Sequence, residues 1–229
     1  MNISVIIPAF NEEDNLKILL PKLHLIISPV CNKYELLVID SKKTADNSEK
    51  VCDENDAKYI RQTNNGYGDA FRMGIGAAKY GAVLVVDADN SQDISKIPAM
   101  YEALNNGYDI VIGSRYVKGA TTKDPFLSVV MSKILNLTYR LVLGFEEKDI
   151  STDFRFYKKE MLENITTCCN NFDVIEETLF LIKKKYPDLK IKEIPIDYKQ
   201  RAEGESKRQL FLFIAGYIKL LIKLFKLRL

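Results

Sequence analysis

The sequence predicts an α/β fold with a mainly parallel central sheet, helices on both faces and an amphipathic helix at the C-terminal end. The first observation behind this is alternation: through the first half of the chain, short Val- and Ile-rich runs are separated by stretches with helical spacing. The second is composition, since 47% hydrophobic and 28% charged residues over 229 positions match one globular domain with a real core. The third is continuity. No internal repeat, low-complexity tract or flexible linker interrupts the chain, so the second half is expected to pack on the first.

Taken in order, Ile3 to Ile7, Tyr34 to Ile39, Ala82 to Val86 and Ile110 to Ile112 read as buried strands, being short, β-branched and bounded by turn residues. Between them, Glu12 to Ile27, Asp46 to Asn55, Asp69 to Tyr80 and Ile97 to Asn106 carry Leu, Ile, Met and Ala at helical spacing. Asp124 to Leu143 reads as a long, largely apolar helix, with Phe126, Leu127, Val130, Ile134, Leu137 and Leu141 along it. Phe154 to Tyr157 reads as a short strand and Val174 to Lys185 as a helix. Lys190 to Tyr198 is a closing strand that Pro195 confines to a sheet edge. The last twenty residues form a basic amphipathic helix.

Composition removes several classes of chemistry. His24 is the one histidine and sits in the first helix, so neither a Ser-His-Asp hydrolase nor a zinc enzyme is expected. Cys31, Cys52, Cys168 and Cys169 fall at no ligand or disulfide-framework spacing and are expected as free thiols in a reducing compartment. The N-terminus has no basic segment and cleavage pattern of a signal peptide, and a cytosolic location is expected. The longest uncharged apolar run, Leu210 to Ile218, falls well short of a bilayer span, so no spanning helix is expected. Between Lys199 and Leu229, eight Lys or Arg face only Glu203 and Glu205, a segment suited to a phosphate or an anionic membrane surface.

Candidate functional residues gather at strand ends. Asp87 and Asp89, in Val85-Val86-Asp87-Ala88-Asp89, follow a buried strand, where alternate side chains point the same way and converge on one hard cation that also holds a diphosphate. The alternative is an acidic strand-to-loop cap. Asp40 ends the second strand and either receives a nucleobase or ribose or caps a turn. Pro8-Ala9-Phe10-Asn11-Glu12 ends the first strand, with Phe10 as a stacking face. Asn65-Gly66-Tyr67-Gly68 opens the third helix, where Gly66 and Gly68 let backbone N–H groups approach a phosphate or sugar. It has neither G-x-G-x-x-G spacing nor a P-loop ending.

In this order, PAFNE at residues 8–12, the Asp40 strand end, NGYGDA at 65–70, DAD at 87–89 and GSRY at 113–116 resemble family 2 glycosyltransferases with the GT-A fold. TDFRFY at 152–157, EIPIDY at 193–198, Arg201 and GESK at 204–207 are similar to the polyprenyl-phosphate sugar transferases within it, the dolichol-phosphate mannosyltransferase and bactoprenol glucosyltransferase group. The resemblance runs from residue 3 to about residue 208. It implies a catalytic domain over 1–208; residues 209–229, beyond it, are read from their own spacing as a basic membrane-interface helix.

The resemblance further implies a nucleotide-sugar donor bound across Pro8, Phe10, Glu12, Asp40, Gly66, Gly68 and the Asp87-Ala88-Asp89 turn, with Mg2+ or Mn2+ between Asp87, Asp89 and the diphosphate. The acceptor is a polyprenyl monophosphate, already anionic, bound by Arg115, Arg155, Arg201, Ser206 and Lys207. Asp89, Arg115 and Asp153 are the catalytic candidates; Arg115 and Arg155 have structural ion pairs as their alternative reading. The sequence departs from the pattern at three points. Gln92 stands one position later than the glutamine of mannosyltransferase relatives, and Asp40 is followed by Ser41-Lys42-Lys43 in place of an acidic, glycine-containing turn. Asp153 stands where the mannosyl group has glycine and the bactoprenol group Asp.

Lys219, Lys223 and Lys226 recur at i, i+4, i+7 among Leu220, Leu221, Ile222, Leu224 and Phe225, the pattern of a helix lying in a membrane interface; packing on the protein's own body or a second copy is the alternative. Asp124 to Leu143 is either a core helix or a second interfacial element. The expected activity is transfer of a hexose, mannose or glucose, from a GDP- or UDP-sugar to dolichyl or undecaprenyl phosphate, with inversion, peripherally on the cytoplasmic face of a membrane. No nucleic-acid partner is expected. A relative acting on a soluble, glycan or protein acceptor, with Asp153 as base, is the alternative, and a nucleotide-sugar sensor without turnover is a third.

Overall fold

A seven-stranded sheet forms the middle layer of the computed structural model, which describes residues 1–199 and 210–228. Its strands are β1 (Ile3–Ala9), β2 (Tyr34–Asp40), β3 (Lys58–Arg61), β4 (Ala82–Val85), β5 (Ile110–Ser114), β7 (Arg155–Lys158) and β8 (Ile191–Pro195), standing in the order β3-β2-β1-β4-β7-β5-β8. Pairing is parallel throughout except at β7, which runs antiparallel between β4 and β5. A separate pair, β6 (Thr121–Thr122) and β9 (Asp197–Tyr198), lies beyond β8.

The strand sequences account for helices on both faces. Along β1 and β2, Ile3, Val5, Ile7, Leu36 and Val38 point to one side while Ile6, Leu37 and Ile39 point to the other, and all are buried. Strands buried on both faces read as continuous apolar runs, which is why they were legible. The first face packs α1 (Glu13–Ile27) through Leu16, Leu19, Leu20 and Leu23, α2 (Ser48–Asp53) through Val51 and Cys52, and α4 (Ile97–Asn105) through Met100 and Leu104. The second packs α3 (Tyr67–Ala77) through Phe71, α5 (Phe126–Leu143) through Tyr139 and Leu143, α6 (Lys159–Glu163) through Leu162, and α7 (Val174–Lys185) through Leu179 and Ile182.

The helix α8 (Leu210–Arg228) belongs to that second core, because Tyr217, Leu220 and Leu224 are buried against α5 and α7. Its Lys223 does not join an exposed basic stripe with Lys219 and Lys226; it pairs with Glu177 of α7 at 2.7 Å. The opposite face leaves Ile218, Ile222, Phe225 and Leu227 exposed.

Three further expectations change. Lys58–Arg61 is a strand that the sequence reading lacks, since its charged, half-exposed residues mark a sheet edge. Lys190 to Tyr198 is two strands, β8 and β9, split at the buried Ile196, and β8 does occupy the sheet edge. The third concerns α5, which packs on the core along one edge, through Tyr139 and Leu143, and leaves the rest of its apolar residues outside. Phe126 is 85% and Leu141 75% exposed, while Ser132, Asn136 and Tyr139 turn towards the protein. Among the described residues α5 alone is long and apolar enough to cross a membrane by length and composition, because Lys133 and Arg140 interrupt the run without lowering its mean hydropathy below 1.4.

Candidate active site

The order β2-β1-β4 makes the gap between β1 and β4 the point where the sheet's winding reverses, and the carboxyl ends of strands at such a point open a crevice. A cavity of about 560 Å3 lies there. Pro8, Phe10 and Glu12 from the end of β1 line it together with Asp87, Ala88 and Asp89 after β4 and Gly66 and Tyr67 at the start of α3. Left-handed Asn11 (φ 53) and Asn90 (φ 58) turn the chain sharply after the two strands, a conformation that Asn tolerates. Asn11 Oδ1 accepts Ala45 N–H and Asn90 Nδ2 donates to Asn15 O, which fixes both turns.

Asp87 and Asp89 both reach the cavity, as alternation requires. Asp89 Oδ1 accepts Ser91 N–H at 3.0 Å and Ser91 Oγ at 2.5 Å, which holds the carboxylate in place. The Asp87 N–H donates to Gln92 Oε1 at 3.0 Å, and Gln92 Nε2 donates to Asp153 Oδ1 at 2.7 Å. Gln92 therefore joins the backbone of one acidic residue to the side chain of another. Among the described residues no third His, Cys, Asp or Glu completes a metal cluster with them. Two hard carboxylates lining one cavity are the donor type that Mg2+ or Mn2+ prefers.

Asp153 is buried behind Tyr67. The Tyr67 hydroxyl donates to Asp153 Oδ2, and burial beside Asp153 and Asp87 keeps that phenol protonated, well above its ordinary range. Both oxygens of Asp153 thus accept hydrogen bonds from the protein.

Other expected site residues stand elsewhere. Asp40 is buried beneath the crevice, where its carboxylate accepts Ser41 N–H, Thr44 Oγ1 and Tyr59 OH; burial pushes it above the usual carboxylate range despite these donors. It caps the turn after β2, while Ser41 and Lys43 from that turn line the cavity. Arg115 forms a bidentate pair with buried Asp149 at 2.8 Å, donates to Ser151 and lies between the rings of Tyr116 and Tyr198. Arg155 is fully buried, donating to Ile150 O and Tyr157 OH. Neither guanidinium lines the cavity. Arg201, Ser206 and Lys207 lie outside the described residues.

Gly66 of the NGYGDA turn lines the cavity, and both glycines of the turn also make a contact that the sequence did not suggest. A Cβ on Gly66 would stand 2.2 Å from Asn170 O, and one on Gly68 2.1 Å from Cys169 O. The Gly68 N–H donates to Asn170 O at 2.9 Å. These glycines admit the 168–171 backbone, which continues into Asn171, Phe172 and Asp173 of the cavity wall. Gly216 and Tyr217 of α8 complete that wall. Sequence reasoning missed this side; a Gly-Tyr-Gly turn opposite an unpatterned Asn-rich segment is the one signal that bears on it.

The profile of "Glycosyl transferase family 2" matches residues 4–166. A dolichol-phosphate mannosyltransferase of Pyrococcus furiosus is 34% identical over 214 residues, which are 90% of this chain and 59% of the relative. The chain thus spans under two thirds of that relative. A polyprenol monophosphomannose synthase of Mycolicibacterium smegmatis is 31% identical over 89% of this chain and 79% of its own length. Among solved structures, glucosyl-3-phosphoglycerate synthase from Mycobacterium tuberculosis in complex with Mn2+, UDP and glucosyl-3-phosphoglycerate superposes with a TM-score of 0.72, at 20% identity, over 99% of this chain and 79% of that one. The likeness shows the fold, the GT-A arrangement expected from the sequence motifs.

Proposed function

The chain belongs to glycosyl transferase family 2, and from that membership we propose that it moves a hexose, mannose or glucose, from a GDP- or UDP-sugar to a polyprenyl monophosphate, dolichyl or undecaprenyl, with inversion. The observation that carries this is the convergence of Pro8, Phe10, Glu12, Gly66, Asp87 and Asp89 on one cavity, whose volume of about 560 Å3 fits a nucleotide-sugar. The base and ribose lie towards Phe10, Ser41 and Lys43, and the diphosphate towards Asp87 and Asp89. Asp87 and Asp89 would hold Mg2+ or Mn2+, which would supply positive charge to the leaving diphosphate.

An oxygen of the acceptor phosphate attacks the anomeric carbon as the bond to the diphosphate oxygen breaks, so inversion follows from a single displacement. No proton has to be removed from an anionic acceptor. Asp153 fits that chemistry, because Tyr67 and Gln92 occupy both its oxygens and it orients them rather than serving as a base for a hydroxyl acceptor. The phosphate is received by Arg201, Ser206 and Lys207. The Lys199 N–H, on the last described residue before that segment, donates to Ser91 O at 2.8 Å, and Ser91 is two residues from Asp89 in sequence.

The enzyme lies peripherally on the cytoplasmic face of a membrane. Support comes from α5, whose apolar residues Phe126, Leu127, Ile134, Leu137 and Leu141 face outward while Ser132, Asn136 and Tyr139 face the body, and from the exposed Ile218, Ile222 and Phe225 of adjacent α8. Substitution separates the parts: Asp89→Ala abolishes transfer to any acceptor with the fold intact, whereas Arg201→Ala impairs transfer to lipid phosphate and spares donor binding. Wild-type transfer to lipid phosphate by Arg201→Ala contradicts the acceptor assignment.

A further inference from the structure

Glu177 joins the two parts of the cavity wall that sequence reasoning missed. Its carboxylate is 2% exposed. Oε2 accepts the N–H groups of Cys168 and Cys169 at 2.9 and 2.8 Å, and Oε1 accepts Lys223 Nζ of α8 at 2.7 Å. From Cys169 the chain is held in turn by Arg72, which donates to Cys169 O at 2.7 Å, and by Gly68, and it then supplies Asn171, Phe172 and Asp173 to the cavity. Lys223 lies on the same helix as Tyr217 and Gly216, which supply the neighbouring wall. A single carboxylate therefore ties the 168–173 segment and α8 to α7 and to each other.

We propose that Glu177 and Lys223 form a latch that holds α8 and the 168–173 segment as the closed wall of the donor cavity, making both positioning residues for nucleotide-sugar binding. The inference rests on the reading of this cavity as a nucleotide-sugar site. Neither residue lines the cavity, so each acts through the residues it holds. The latch also connects the helix that carries the exposed apolar face to the donor site: a displacement of α8 frees Glu177, loosens the amides of Cys168 and Cys169 and opens the wall formed by Phe172 and Tyr217. The ionic state supports it. Burial alone would raise the Glu177 carboxyl, yet Lys223 and the Cys168 and Cys169 donors hold it at about 2, so the latch is charged at neutral pH.

The test compares wild type with Lys223→Met, which keeps the aliphatic stem and removes the charge, and Lys223→Arg, which restores it. Native-state hydrogen exchange at the Cys168 and Cys169 amides reads the latch without any ligand, and kinetics with UDP- and GDP-sugars and Mn2+ read the cavity. The expected result is about tenfold faster exchange at those amides and a donor KM raised about tenfold in Lys223→Met, with kcat within a factor of three and recovery of both by Lys223→Arg. Wild-type exchange and KM in Lys223→Met would overturn the latch, as would an equal fall in kcat with KM unchanged. If wild type binds no nucleotide-sugar the donor reading fails, while faster or unchanged exchange still decides whether Lys223 holds the segment.

Discussion

The Tyr67 ring stacks on Phe172 with centroids 4.4 Å apart and planes inclined by 25°, and the hydroxyl of the same tyrosine holds Asp153. One side chain at the start of α3 thus supports the missed wall of the cavity and orients the acidic network behind it. Tyr67→Phe keeps the stack and removes the donor to a buried carboxylate, an interaction typically worth about 1.5–3 kcal/mol. Transfer is expected to fall about tenfold in kcat with an unchanged circular dichroism spectrum. Wild-type kcat in Tyr67→Phe would show that the Tyr67–Asp153 hydrogen bond plays no part in transfer.

Gly68→Ala tests the close approach of the 168–171 backbone. The added Cβ would stand 2.1 Å from a backbone oxygen that has no freedom to withdraw without breaking the Gly68 N–H bond to Asn170. A loss of more than about 2 kcal/mol in denaturant unfolding is expected. Gly76→Ala, where nothing lies within reach of the new atom, serves as the control and is expected to be neutral or stabilising. Equal stabilities for the two variants would contradict the packing described.

Glu176 gives a pH dependence of defined sign. Burial pushes its carboxyl up to about 8, despite its own backbone N–H and the neighbouring Arg155 and Tyr217. The folded protein keeps this proton while the unfolded chain loses it near the ordinary carboxylate value of about 4.3, so stability falls as pH rises between those values and is level above the upper one. Glu176→Gln removes that slope. The variant is expected to gain in melting temperature over wild type at pH 8 and to show no gain at pH 4.5. A gain of the same size at both values would assign the effect to packing.

The outward apolar face of α5 is tested by Leu137→Lys and Leu141→Asp, at positions 51% and 75% exposed. Neither substitution touches the core, so the melting temperature is expected to hold. Flotation with anionic lipid vesicles is expected to fall at least fivefold for the pair. Unchanged flotation would remove α5 from the membrane-facing surface.

Much of this organisation was legible in the sequence because it is local. Ile3 to Ile7 and Ala82 to Val86 announce themselves as strands by β-branched runs, and the turn residues after them fix Asp87 and Asp89 at the sheet's carboxyl edge. What escaped was set by distant partners. Arg115 meets Asp149 and Arg155 meets Ile150 only once β7 inserts between β4 and β5, and those contacts turn both guanidinium groups away from the cavity. The segment from Cys168 to Asp173 has no periodicity of its own, and its path is dictated by Glu177 and Gly68. The edge strand Lys58–Arg61 carries charges at both ends and half-buried residues between, a pattern too short to stand out from a loop. In α5 the apolar spacing was clear, while the direction that the face points depends on Asn136 accepting Ile150 N–H at 2.6 Å.

The proposed role of Asp87 and Asp89 in moving a hexose to a lipid phosphate is measured by incubating the protein with polyprenyl phosphate, Mn2+ and radiolabelled UDP- and GDP-sugars, and counting label in the organic phase for wild type and Asp89→Ala. Wild type is expected to transfer label from one donor, with transfer lost on chelation of the metal and at least a hundredfold lower in Asp89→Ala. Donor hydrolysis or transfer to a water-soluble acceptor, with no label entering the organic phase, would contradict it.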